Sequence, residues 1–407
     1  MPSTSSTCGW QPILSAPLAS RALDLAEEIA RALDSAPPVR RRPAERASLA
    51  AGLPGRIVFL GYLERCRPGR GWGDRAVELL EQAMEEIAGL PVEYGLYSGF
   101  TGLAWVLEHF HGWLVDEEDD PGEEIAAAVE KVLRSPLSPW EFDLISGAVG
   151  MGVYALERLP RPGAGECLRG AVEHLAAAAE RRDGTAVWPT PPGWVPEDRR
   201  ERFPGGYVVT GLAHGVAGVA AFLGEALAAG LPTRPLLDEA VRWLLAAKLP
   251  PGPGPVYPYE VAPGDPGRPT RLAWCHGDPG VAAGLLVAAR RAGEAAWENE
   301  ALALARQAAA RSAGEVSIID AGLCHGSAGL AHIFNRLYQG TGDPTLGDAA
   351  RFWIDRTFDL RRPGEGVAGF LAWENDDAMR QDWRAEPGFL TGAAGVGLAL
   401  LAAAAPV

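Results

Sequence analysis

Cysteine is scarce in this chain: five residues in 407, an odd number and far apart. That excludes the disulfide framework of a small secreted protein. It points to a reducing, cytoplasmic setting in which some thiols are kept for a metal. Positive charge is short as well. Only 37 lysines and arginines stand against 52 aspartates and glutamates, a net charge of −15. A nucleic-acid-binding protein working through a basic face is thereby excluded. The start, MPSTSSTCGWQPILSA, lacks a basic region followed by an apolar one, so no signal peptide is read there. Residues 1–16 are expected to form a flexible N-terminus. Long hydrophobic runs are missing except for GFLTGAAGVGLALLAAAAPV at the end. That run is rich in Gly and Ala and repeats an internal pattern, so it is read as a buried helix and the chain as no integral membrane protein. Nothing alternates apolar and polar residues as a strand would. What is present, 47% hydrophobic and 22% charged residues, fits a globular protein with a large core.

A repeat fills most of the chain. Gly-x-x-Gly recurs with its first glycine at Gly52, Gly99, Gly147, Gly215, Gly277, Gly326 and Gly392. One such motif carries no information, but seven, each opening an apolar helical pattern, define an internal repeat. Leu103, Val106, Leu107 and Phe110 follow Gly102; Leu330, Ile333, Phe334 and Leu337 follow Gly329. Both sets are helical stripes at i, i+3, i+4, i+7, and Gly340 is expected to cap the second. A helix charged on one face belongs to most units, beginning near Ser20, Asp74, Glu123, Leu168, Leu236, Asn299 and Leu346. Seven inner and seven outer helices predict an all-α fold, one α/α toroid domain over residues 1–407. Three segments interrupt it. Residues 36–48 read as a basic, Pro-rich connector. Residues 184–210 and 250–270 read as long aromatic loops near a functional site.

The residue before each first glycine is Ala51, Ser98, Ser146, His214, His276, His325 or Thr391. Ser and Thr there are expected as helix N-caps. Three successive units place His instead, and two of these put Cys275 and Cys324 one position earlier. In a toroid the inner helices run parallel, so these residues gather at one end. Two thiols and an imidazole suit Zn²⁺, and helix N-termini favour thiolate. Cys275, Cys324 and His325 as three ligands leave a fourth position open, as in a catalytic site. His276 as a fourth ligand would close the site into a structural one. Without a metal, the same residues would be buried cysteines and capping histidines. Asp143 is placed to orient the His214 imidazole, or is an ordinary carboxylate near a helix start. Arg271, four residues before Cys275, is placed to meet a developing negative charge, or is a solvated loop cation. His109, His111, His174 and His332 fall in helical stretches as surface or core residues. Cys8, Cys66 and Cys167 lie outside the repeat positions. The acidic runs from Asp116 and from Glu374 lack the Asp-Asp-x-x-Asp pattern of diphosphate chemistry and are read as solvated loops.

WCHGDPG and LCHGSAG, with GLAHGVAG upstream, resemble the lanthionine synthetase C family of LanC-like cyclases, from about Leu49 to Leu401. The resemblance implies an α/α toroid with a catalytic Zn²⁺. Its bacterial members close thioether rings in ribosomal peptides, the lanthipeptide antibiotics, whose Ser or Thr residues have been dehydrated. It implies Cys275, Cys324 and His325 as zinc ligands, His214 as acid/base, Asp143 as its partner and Arg271 as the active-site arginine. Residue 276 is Tyr in many members and His in others, so His276 either tunes proton transfer or lines the site. The chain is the size of a stand-alone cyclase. That implies a dehydrated precursor peptide as substrate, with a separate dehydratase and an exporter as partners. Some relatives add glutathione to dehydrated residues instead. The non-enzymatic reading is a peptide-binding scaffold with structural zinc.

Overall fold

Helices amphipathic on one face have to be stacked on apolar ones, and the chain does this seven times. The computed structural model describes residues 9–35, 43–87, 93–115, 120, 122–135, 138, 141–265, 267–311, 318–375 and 380–406. The inner helices are α3 (Leu53–Cys66), α5 (Thr101–His109), α7 (Ala148–Arg158), α9 (Val216–Ala228), α11 (Asp278–Ala292), α13 (Ser327–Thr341) and α15 (Ala393–Ala404). The outer helices are α1 (Ala16–Ser35), α4 (Trp72–Ile87), α6 (Glu123–Arg134), α8 (Ala164–Ala178), α10 (Arg234–Ala246), α12 (Ala295–Ala309) and α14 (Pro344–Asp359). A one-turn α2 spans Pro43–Arg46. Each inner helix packs on the next, and α15 returns to α3, so the ring closes. Each outer helix packs on the inner helix before it, except that α1 covers α15. The Gly102 and Gly329 stripes are wholly buried. No described helix is long and apolar enough to cross a membrane; the terminal apolar run is α15, buried along nearly its whole length.

The turns before the inner helices are hydrogen-bonded into a second ring. The Ala50 N–H donates to Tyr97 O (3.1 Å), Tyr97 to Ile145 O (2.9 Å), Leu144 to Ala213 O (3.1 Å) and Ala213 to Cys275 O (3.2 Å). Trp274 and Cys275 donate to Cys324 O (3.1 and 3.4 Å), Cys324 to Leu390 O (2.8 Å), and Leu390 back to Ala50 O (2.9 Å). This ring requires the glycines. A β-carbon on Gly329 would overlap the Leu323 carbonyl, and one on Gly102 would overlap the Leu96 carbonyl and stand 2.8 Å from Leu49 Cβ of the preceding turn.

Several sequence expectations change. In six of the seven units the first glycine itself is the N-cap, without a side-chain cap. The expected caps turn elsewhere: the Ser146 hydroxyl donates to Asp143 Oδ1 (3.2 Å), and that of Thr391 to Glu374. Gly342, with a left-handed backbone (φ 69°), ends α13 in place of Gly340. Residues 1–8 of the expected flexible start, Cys8 included, lie outside the described residues, as do 36–42 of the connector. From Trp10 onward the chain packs down: Trp10 Nε1 donates to Ala402 O (2.7 Å) and Ile13 is buried. His111 lies beyond the end of α5, not within a helix.

The long loops carry small antiparallel sheets that alternation did not reveal. β1 (Glu180–Arg182) pairs with β2 (Thr185–Val187). β3 (Pro189–Thr190), β4 (Tyr207–Val209) and β5 (Glu260–Val261) form one sheet, with Val209 opposite Glu260. It ties the two loops together, and the buried Glu260 carboxylate fastens them through Arg199 (2.8 Å), Arg202 (3.2 Å) and Arg268 (3.3 Å). β6 (Ala372–Asn375) and β7 (Gln381–Arg384) form a hairpin, with Trp373 opposite Trp383. The acidic run from Glu374 is therefore partly strand, with 376–379 outside the described residues. In the run from Asp116, residues 116–119 and 121 lie outside them too. Asp120 is no solvated loop residue: it pairs with the buried Arg158 (2.7 Å) and with Arg161 (2.9 Å).

Candidate metal centre

The ring of turns brings two Cys-His dipeptides side by side. Cys275 N–H bonds to Cys324 O, so the two thiols face one another across adjacent turns. Donor atoms of Cys275, Cys324 and His325 all lie within 4.8 Å of each other. The two thiols are hydrogen-bonded to each other. The hydrogen bond from Cys324 holds the Cys275 thiol well below its ordinary pKa against the cost of burial, with help from His325. Cys324, the donor of that bond, is held well above. Two soft donors and one imidazole, one of the thiols already acidified, fit a Zn²⁺ ion chemically.

Asp320 stands behind His325, its Oδ2 3.6 Å from Nε2. It is buried and accepts from the Gly322 and Trp373 backbone N–H groups (3.3 and 3.2 Å). A carboxylate on one imidazole nitrogen presents the other to a metal. Asp320 was not singled out in the sequence. The signal was available in the repeat register, because Glu386 sits at the same offset before its own glycine and likewise accepts an N–H two residues on (2.8 Å).

His214 lies one unit back along the ring. Its Nδ1 is 2.5 Å from Asp143 Oδ2. Asp143 Oδ1 meanwhile accepts from the Ile145 and Ser146 N–H groups (3.1 and 2.8 Å). Burial alone would lower the His214 pKa; the Asp143 bond and charge reverse this and hold it above its usual value. Burial likewise opposes the Asp143 charge, and His214 with Ser146 overrides it, so the carboxyl stays below its usual range.

His276 stacks on His214 with ring centroids 5.5 Å apart, and its Nε2 lies 3.1 Å from the Tyr259 hydroxyl. Burial holds its pKa down to about 4, aided by the charges of His214, Arg271 and Arg199 against that of Cys275. It is not among the three clustered donors. Tyr259 was also missed in the sequence; it arrives beside His276 only because β5 pairs with β4, a contact between distant loops.

Arg271 is exposed and lines a cavity of about 420 Å³ together with His325, Asp320, Trp373, Glu374 and Gln381. Among the described residues it makes no hydrogen bond or ion pair. The β6–β7 hairpin walls this cavity, so Glu374 belongs beside the centre and not to a solvated loop. Cys66 and Cys167 lie far from it in sequence register, their thiols pushed up to about 11 by burial.

Fold and site together define a closed α/α toroid with a Cys-Cys-His centre at the N-terminal end of its inner helices. The family model "Lanthionine synthetase C-like protein" matches residues 43–407, and the chain belongs to that family. The solved structure of a nisin cyclase superposes with a TM-score of 0.68 at 20% identity, covering 94% of this chain and 92% of the other. A zebrafish (Danio rerio) protein, "Glutathione S-transferase LANCL1", is 33% identical over 174 residues. That match spans 40% of this chain and 41% of the relative.

Proposed function

We propose that the protein is a zinc-dependent lanthionine cyclase, with Cys275, Cys324 and His325 as metal ligands and a dehydrated precursor peptide as substrate. The observation that carries this reading is the three-donor cluster beside the Asp143–His214 pair. Zn²⁺ bound there would acidify a peptide cysteine at its remaining position, so that a thiolate is available at neutral pH. The cavity beside His325 receives the peptide segment that holds the dehydroalanine or dehydrobutyrine. Arg271, lining that cavity, stabilises the negative charge that builds on the carbonyl as sulfur adds to the β-carbon. His214 delivers a proton to the α-carbon, and Asp143 holds its tautomer and charge. His276, with Nε2 on the Tyr259 hydroxyl, lines the His214 side of the centre, and the three clustered donors do not include it. A dehydratase would act first and an exporter afterwards.

The partial likeness to the zebrafish protein supports a second reading, addition of glutathione to the same dehydrated residues. The two differ only in where the thiol comes from. Alkylation of free thiols followed by mass measurement separates them. Cyclisation removes a peptide thiol without changing mass, whereas intermolecular addition raises the mass by one glutathione and spares the peptide cysteine.

A further inference from the structure

The toroid holds a second cavity, of about 420 Å³, among its inner helices. Leu323 and Phe389, from two turns of the hydrogen-bonded ring, form its ceiling. Leu323 thus faces the lumen while its neighbour Cys324 belongs to the metal cluster. Inner helices α3, α5, α13 and α15 make the walls, and Trp10 reaches in from the N-terminal segment that lies along α15.

The lining is apolar and aromatic with a few polar groups, the composition of a small-molecule pocket. Among the described residues none that is acidic lines it, and Arg336 is the one permanent charge. Arg336 is exposed and makes no hydrogen bond or ion pair among the described residues. His109 is already engaged, with Nε2 at 2.8 Å from the Tyr62 hydroxyl and Nδ1 at 2.8 Å from Glu157. His332 is not: its Nδ1 is buried without a partner among the described residues, and its ring stacks on Trp10 at 6.1 Å.

We propose that this lumen binds an amphiphile with an apolar body and a single carboxylate head. The body lies against Trp105, Trp10, Leu323 and Phe389. The carboxylate pairs with Arg336, and His332 Nδ1 offers a further hydrogen bond inside. A cation is disfavoured, because Arg336 would repel it and no carboxylate in the lining would hold it.

The test is titration of the full-length zinc-loaded protein with decanoate, followed by tryptophan fluorescence and by calorimetry. Saturable binding is expected, with Trp10 and Trp105 reporting it. Arg336→Gln, a change at an exposed side chain, should weaken binding by roughly two- to fivefold, the loss typical of one exposed ion pair. Ala399→Trp should fill the cavity and abolish binding with helical circular dichroism unchanged. Chelating the zinc should leave binding intact. Absence of saturable binding overturns the proposal, as does an Arg336→Gln protein that binds equally well or equal competition by decyltrimethylammonium. Loss of decanoate binding on chelation would place the ligand at the metal instead, and would also overturn it.

Discussion

Among single residues, the ligands and the proton donor are distinct: Cys275, Cys324 and His325 cluster, and His214 pairs with Asp143. Cys275→Ala or Cys324→Ala removes one of two thiolate donors and should abolish stoichiometric zinc in metal analysis of the purified protein; full occupancy in both would remove the assignment. Asp320→Asn should leave the ligands but loosen His325, lowering zinc affinity by roughly 10–100-fold in competition with a chelator. His214→Asn should retain zinc and slow thioether formation by about 10²–10⁴-fold, the usual contribution of a general acid. Asp143 sets the pH range of that step. Because Asp143 raises the His214 pKa, the protonated imidazole persists to higher pH, and the rate should fall as pH rises through that folded value. Asp143→Asn takes the lift away, so the falling limb of the pH–rate profile should move to lower pH. An unmoved limb would show that His214 is not the titrating acid.

At the scale of elements, the repeat was legible because the glycines are obligatory. Each second glycine admits a backbone carbonyl where a side chain would stand, so the motif survives in all seven units while the loops between them vary. Gly329→Ala should cost about 1–3 kcal/mol in denaturant unfolding through overpacking. Gly193→Ala, where nothing lies within 4 Å, should change stability by no more than roughly 0.5 kcal/mol. Helix number and order were legible for the same reason, since 3.6-residue stripes of ten or more residues stand out from background. The sheets were not: β3 and β5 have two residues each, too short for any alternation, and β5 pairs with β4 from about fifty positions away. Tyr259 and Glu374 were lost with them. The caps were misread because Ser, Thr and Gly share the same preference for that position, and only the ring contacts decide which residue takes it.

At the scale of the whole molecule, closure creates the site. No single unit holds a metal set; Cys275 and Cys324 belong to neighbouring turns, and His214 to a third. The ring of seven turns fixes their spacing, and the return of α15 to α3 fixes the ring. Leu323 and Phe389, from turns of the same ring, line the second cavity. The claim that depends on all of this is that the centre activates a thiol for addition to a dehydrated residue. The most direct measurement gives the zinc-loaded protein a peptide carrying one dehydroalanine and one cysteine, with glutathione present, and counts alkylatable thiols by mass against time. Loss of the peptide thiol at unchanged peptide mass is expected, abolished in Cys324→Ala and slowed in His214→Asn. A peptide thiol that persists in the presence of active, zinc-loaded protein, with or without a gain of one glutathione in mass, would contradict it.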